Sequence, residues 1–195
     1  IYGDPDPKYI PIKESYRGNV SCQGPRACYD ESKRVGETLS DIYHSYYNLT
    51  TNTIRPFNIY GPGLKGRVVD NFIRRATSQK PLLVNGNGKQ TRCFLYIDDC
   101  IEAFYKIVVK NIKNEIFNIG QNREHSIKDL AKMIIKITGS KSKLVLGSNQ
   151  LKKFKGYQDI DRRVPDNSKL KKIIKWKPIY SLEYGLRSMI SDLTK

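Results

Sequence analysis

A phenol and an ammonium stand four residues apart at Tyr29 and Lys33, within the run Gly24-Pro25-Arg26-Ala27-Cys28-Tyr29-Asp30-Glu31-Ser32-Lys33-Arg34. On a helix that spacing sets both side chains on one face. A phenol titrates at about 10 in water and a neighbouring cation favours its phenolate, so the pair can serve as an acid/base couple near neutral pH. The pattern alone is common, and a solvated lysine beside a core tyrosine is its ordinary outcome; the surroundings decide. Asn58 closes the apolar segment Thr53-Ile54-Arg55-Pro56-Phe57-Asn58, at the carboxyl end of a strand, where open α/β sheets bind ligands; an ordinary turn asparagine is the competing reading. Arg67, Arg92 and Arg163 each offer a planar fork of donors to phosphate oxygens, although a single arginine more often serves a surface ion pair. His44 and His125 have neither ligand nor triad spacing and read as peripheral. Cys22, Cys28, Cys93 and Cys100 form no C-x-x-C pair, so reduced thiols and no metal site are expected.

Positioning these groups requires alternating helices and strands. Pro25 opens a helix over 26–47, after a Pro- and Gly-rich loop over 5–24 whose length suggests a lid or a functional role. The segment 49–59 reads as a buried parallel strand, broken by Gly61-Pro62-Gly63. A helix over 68–79 gathers Val68, Val69, Phe72, Ile73 and Ala76 on one face. Strands at 82–84 and 91–96 flank the turn Asn85-Gly86-Asn87-Gly88. Asp98 or Asp99 is placed to cap the next helix, and Ser126 to cap an amphipathic one through Ile127, Leu130, Ala131, Ile134 and Ile135. Strands at 115–120 and 143–146, a basic loop to Pro165, and helices at 167–174 and 181–193 complete the pattern.

The composition, 38% hydrophobic over 195 residues, suits a folded chain with a sizeable core. Net charge is +16, but the lysines are spread from Lys8 to Lys195, which argues for a solvated basic surface and against a nucleic-acid partner. That field would still favour an anionic substrate. No apolar run approaches the roughly 20 residues that span a bilayer, and a cytoplasmic location is expected, with a leader or anchor upstream of residue 1 left open.

The run from Gly24 to Arg34, together with Gly66-Arg67-Val68-Val69-Asp70-Asn71-Phe72-Ile73 and Gly86-Asn87-Gly88-Lys89-Gln90-Thr91-Arg92, resembles the extended short-chain dehydrogenase/reductase family that acts on nucleotide sugars. The likeness is greatest to its UDP-glucuronate decarboxylase branch, from Ile1 to about Pro178. The resemblance implies an α/β fold: the latter part of a Rossmann-type doubly wound parallel sheet, with a small C-terminal α/β substrate-binding subdomain. Residues 1–62 would belong to the NAD-binding domain and 63–195 mostly to the subdomain, with 91–120 returning to the sheet. It implies NAD as cofactor, close to Tyr29, Lys33 and Pro56. It implies catalytic roles for Tyr29, Lys33 and Arg163, and a nucleotide-sugar substrate held by Phe57, Asn58, Arg67, Val68, Arg92, Tyr157 and Arg163. A homodimer is implied for the complete enzyme.

No glycine-rich dinucleotide-binding turn stands ahead of the Tyr29 helix, and Ile1-Tyr2-Gly3-Asp4 is similar to the end of a family segment whose Ser or Thr and Glu would precede residue 1. The chain therefore reads as the C-terminal portion of a longer enzyme, inactive alone. The segment Gly156-Tyr157-Gln158-Asp159 with Arg162 and Arg163 resembles one that lines the sugar site in related decarboxylases, although dehydratases of the family carry a similar D-R-R. A nucleotide-sugar 4,6-dehydratase or 4-epimerase is the enzymatic alternative. A catalytically inactive nucleotide-sugar-binding module is the alternative of another class.

Overall fold

A computed structural model describes residues 1–148 and 160–193. After a 3-10 turn at Pro7–Tyr9, the elements in chain order are α1 (Ala27–Tyr47), β1 (Asn52–Pro56), β2 (Ile59–Tyr60), α2 (Val68–Thr77), β3 (Leu82–Asn85), β4 (Thr91–Cys93), β5 (Leu95–Tyr96), α3 (Ile97–Val109), β6 (Glu115–Ile119), β7 (Glu124–Ser126), α4 (Ile127–Thr138), β8 (Leu144–Ser148), β9 (Arg162–Arg163), α5 (Ser168–Ile174) and α6 (Leu182–Leu193). Strand pairing is mostly parallel, as helical crossovers between strands require: β1 with β6, β2 with β5, β3 with β8 and β4 with β9, while β4 and β7 run antiparallel.

Two cores follow from the apolar faces. The stripe Val69, Phe72, Ile73 and Ala76 of α2 meets Leu130, Ala131 and Ile134 of α4 and Leu182, Leu186 and Met189 of α6, over Leu82 and Val84 of β3. The second core gathers Phe117 and Ile119 of β6, Cys100, Ala103 and Ile107 of α3, and Leu170 and Ile174 of α5 around Trp176. The Trp176 indole is buried and donates from Nε1 to the Asp99 carbonyl at 2.9 Å. Each fully buried aliphatic side chain contributes about 1.5–3 kcal/mol relative to exposure. A smaller cluster of Tyr2, Ile12 and Phe57 ties the N-terminal segment to the carboxyl end of β1.

Several local expectations need correction. The single strand expected over 49–59 is two, because the chain breaks at Phe57-Asn58, where Asn58 has φ of 44°; an asparagine tolerates this left-handed conformation better than most residues. Its first half is half-buried rather than enclosed. The strand expected over 91–96 also divides at Phe94, sending β4 to β7 and β9 and β5 to β2. Neither Asp98 nor Asp99 caps α3. Tyr96 occupies the cap position, and the Asp99 carboxylate accepts from the backbone N–H groups of Ile179 (2.9 Å) and Tyr180 (3.2 Å), fastening the α5–α6 connection to α3. Burial nonetheless dominates and pushes the Asp99 carboxyl above its ordinary range. The 5–24 loop holds the 3-10 turn and bridges from Gly3 to Asn19 and from Ile12 to Pro165. The basic loop before Pro165 contains β9. Ser126 caps α4 as expected, accepting from Asp129 N–H at 3.0 Å.

The cysteines divide by burial. Cys93 and Cys100 are buried, and desolvation pushes their thiols up to about 12 and about 11, while Cys22 and Cys28 are exposed. Because the thiolate is the reactive form, titration with a chromogenic disulfide at neutral pH is expected to modify two thiols quickly and the other two only after unfolding. Four thiols reacting together in the native protein would contradict this burial.

Candidate functional site

Tyr29 and Lys33 do share one face of α1. The Tyr29 ring is 54% exposed, and Lys33 Nζ stands 5.3 Å from its centroid, within the range of a cation–π contact. The helix is held on both sides of the pair. Arg26 bonds Asp30 at 3.2 Å, and Arg34 Nη1 donates to the Arg17 carbonyl at 3.0 Å. One turn beyond Lys33, Glu37 receives a two-pronged bond from Arg55 of β1, at 2.7 and 2.6 Å. Such planar, charge-assisted geometry is the strong form of the interaction.

Arg55 anchors a larger buried network. Its Nη1 donates to Tyr2 Oη at 2.6 Å and to the Glu14 carbonyl at 2.9 Å. The Tyr2 hydroxyl in turn donates to Asn118 Oδ1 at 2.7 Å. Asn118, fully buried on β6, donates from Nδ2 to the Ile12 carbonyl at 2.8 Å, and its backbone N–H donates to Glu14 Oε1 at 2.9 Å. Burial dominates in raising the Tyr2 phenol above its ordinary value, although Arg55 opposes it. The network joins α1, β1, β6 and the N-terminal segment, and clamps α1 to β1 one residue before Pro56. Sequence reading passed over it. A signal existed: an arginine amid strand residues such as Ile54 needs a partner if it is to be buried.

Pro56 ends β1 and is exposed, whereas Phe57 is buried against Tyr2 and donates its N–H to the Ile119 carbonyl at 2.9 Å. Gly120 permits this approach, since a Cβ there would lie 2.9 Å from Phe57 Cβ and 2.6 Å from Pro165 Cγ. Asn58 Nδ2 donates to the Cys93 carbonyl at 3.1 Å, linking the break in the strand to β4. Arg92 and Arg163 are direct cross-strand neighbours on β4 and β9. Arg163 Nη2 donates to the Gly3 carbonyl at 3.2 Å, and Arg92 Nη1 to the Thr91 carbonyl at 2.7 Å. The structure therefore brings Asn58, Arg92, Arg163 and the N-terminal segment together. His125, expected to be peripheral, lies directly opposite Arg92 on β7. Arg162 belongs to the other face, where it bonds Glu124, which also accepts from Thr91.

Arg67 is the extended, exposed N-cap residue of α2, and Val68 follows it, partly buried against the first core. Their turn is fixed by Asp70, which accepts from Gly66 N–H at 2.8 Å and from Arg74 Nε at 2.6 Å. Tyr157 and the Gly156-Tyr157-Gln158-Asp159 segment lie outside the described residues. Among the described residues no group of His, Cys, Asp and Glu could hold a metal ion, and no helix is long and apolar enough to cross a membrane.

Parallel strand pairs with helices between them agree with what the comparisons show. Residues 1–120 match the NAD dependent epimerase/dehydratase family, and the chain belongs to it. UDP-glucuronic acid decarboxylase 1 of Xenopus tropicalis is 37% identical over 198 residues, covering all of this chain and 45% of that protein. The chain thus spans about half the length of the curated relatives it matches. The UDP-glucose 4-epimerase of Thermotoga maritima, solved with UDP-glucose, superposes with a TM-score of 0.84 at 27% identity, over all of this chain and 60% of the other. The UDP-glucuronic acid 4-epimerase of Bacillus cereus, solved with UDP-glucuronic acid and NAD, gives 0.74 at 29% identity, over 85% of this chain and 52% of the other. The fold is Rossmann-type α/β and the family is NAD-dependent. The residues present fit the nicotinamide end of that cofactor: an exposed phenol and ammonium on one helical face, fastened beside the exposed end of β1.

Proposed function

We propose that these residues form the C-terminal portion of an NAD-dependent UDP-glucuronate decarboxylase that yields UDP-xylose. One observation supports the choice over a 4-epimerase: the likeness to a UDP-glucuronic acid decarboxylase extends over the whole chain at 37% identity.

In this reading Lys33 and Pro56 hold the nicotinamide riboside, and Arg92 and Arg163 hold the diphosphate with Arg67. NAD, when bound, supplies reversible hydride acceptance at C4 of the sugar. Tyr29, as the phenolate that Lys33 steadies, accepts the O4 proton. With C4 a ketone, the C5 carboxylate is β to a carbonyl. The C5–C6 bond breaks, carbon dioxide leaves, and the electron pair passes into the carbonyl as an enolate. Arg163, the arginine nearer the N-terminal segment, stabilises the carboxylate before this step and the enolate after it. Protonation at C5 and return of hydride to C4 complete the reaction, Tyr29 giving its proton back to O4. Phe57, Asn58 and Val68 shape the sugar and nucleotide pocket.

Mass spectrometry of UDP-glucuronate and NAD incubated with the complete protein tests this reading. A product lighter by one carbon dioxide is expected. A 4-epimer of unchanged mass would give the site to an epimerase, and loss of water to a dehydratase.

We further infer a homodimer in which α1 meets a second copy. Val35, Leu39, Ile42, Tyr43 and Tyr46 form an exposed apolar stripe at the spacing of one helical face. Light scattering of the complete protein at micromolar concentration is expected to give twice the chain mass, and the Leu39→Glu variant the single mass. A monomeric wild type would end the idea.

A further inference from the structure

The small sheet of β7, β4 and β9 carries a row of basic side chains. Arg92 stands directly opposite His125 on one side and Arg163 on the other. Residues paired directly across strands project from the same face, so one imidazole and two guanidinium groups share a face. On the opposite face Arg162 bonds Glu124 at 2.6 Å and Thr91 bonds it as well. The donation from Arg163 to the Gly3 carbonyl turns the side of the row toward the N-terminal segment, and Asn58 reaches the same sheet at the Cys93 carbonyl. The row therefore borders the site described above.

We propose that His125 is a third ligand of the nucleotide sugar's diphosphate, beside Arg92 and Arg163, and that it takes up a proton when the diphosphate binds. This rests on the nucleotide-sugar reading of the site. Arg92 of β4 stands opposite His125 in register, with Arg163 beyond it on β9, and the charges that act on the imidazole are Arg123 at the entry to its own strand and Asp129 of α4. Burial first, then Arg123, holds the ring below its ordinary value, while Asp129 works the other way. A diphosphate reverses the balance, since its two negative charges favour imidazolium and reward the second N–H donor. A ligand that raises the ring's affinity for a proton binds more tightly as pH falls through the ring's titration range, by the reciprocity of linkage.

The test is isothermal titration of the complete protein with UDP-glucose in buffers of different ionisation enthalpy at pH 6.5, repeated at pH 5.5 and 7.5. UDP-glucose is a diphosphate diester with no group that titrates across this range, so any proton taken up enters the protein. Uptake of about half a proton is expected at pH 6.5, with binding about three- to tenfold tighter at pH 5.5 than at pH 7.5. Both effects should vanish in His125→Gln, which keeps a hydrogen-bonding amide but cannot titrate. UDP-glucose binding without proton uptake, or uptake that persists in His125→Gln, overturns the proposal and leaves the nucleotide-sugar reading intact. If UDP-glucose does not bind at any pH, that reading falls and the role of His125 falls with it.

Discussion

Tyr29→Phe is expected to lower kcat of the complete enzyme by about 10²- to 10⁴-fold, the range that a positioned acid/base group contributes, while the Kd for UDP-glucuronate stays within about threefold. The asymmetry follows from where the phenol stands. Its ring is more than half exposed on α1, so the hydroxyl contributes little to packing and its loss should leave the melting temperature within about 2 °C. Substrate affinity comes from other groups in the proposed site, among them Arg92 and Arg163. Lys33→Met should follow Tyr29→Phe in direction and add little when the two are combined, because groups acting as one unit are not additive. Turnover of Tyr29→Phe within tenfold of wild type would remove this phenol from the proton path and return the pair to a solvated lysine beside an exposed ring.

Arg55→Met is expected to produce the largest loss of stability, approaching 3–5 kcal/mol, by stranding a carboxylate and a buried hydroxyl at once. The guanidinium satisfies both oxygens of Glu37, the Tyr2 hydroxyl and the Glu14 carbonyl, and only 10% of the Arg55 side chain reaches solvent. Glu37 remains 21% exposed, which lets water recover part of the loss and places the value toward the lower end of that range. Urea unfolding of single and paired variants checks it. In Arg55→Met/Glu37→Leu the charge is removed with its partner, and most of the lost stability should return. A single variant within about 1 kcal/mol of wild type would show that the network is solvated.

What the sequence disclosed depended on how local each signal was. The helices were legible because their apolar positions recur at helical spacing and Ser126 caps α4 by a bond three residues away. Tyr29 and Lys33 were legible for the same reason, being one turn apart on one helix. The divisions of the strands at Phe57-Asn58 and Phe94 were not, since both are settled by distant partners: Asn58 by the Cys93 carbonyl, and the two halves of each strand by different neighbours. Asp99 illustrates a competing partner. Its type and position suggested a cap, but N–H groups 80 and 81 residues away take its carboxylate. The Arg55 network joins positions as far apart as Tyr2 and Asn118, separated by 116 residues, and no spacing rule reaches that far. The row of His125, Arg92 and Arg163 is a matter of strand register across three separate segments, which becomes visible only once the sheet is formed.

Trp176 is the only tryptophan in the chain, and its burial beside Phe117 and Ile174 gives the molecule an internal optical label. The indole emits from the core beneath β1 and β6, the core next to the Arg55 clamp, while the α2–α4–α6 core contains tyrosine and phenylalanine rings instead. Fluorescence excited at the red edge of the indole band therefore follows one core without contamination from the other. Tyrosine ellipticity in the near ultraviolet draws on Tyr60 and Tyr96 as well. Denaturation curves from the two signals would coincide if the cores melt together and separate if they do not, so the arrangement of aromatic residues makes the cooperativity of this fold readable without any added probe.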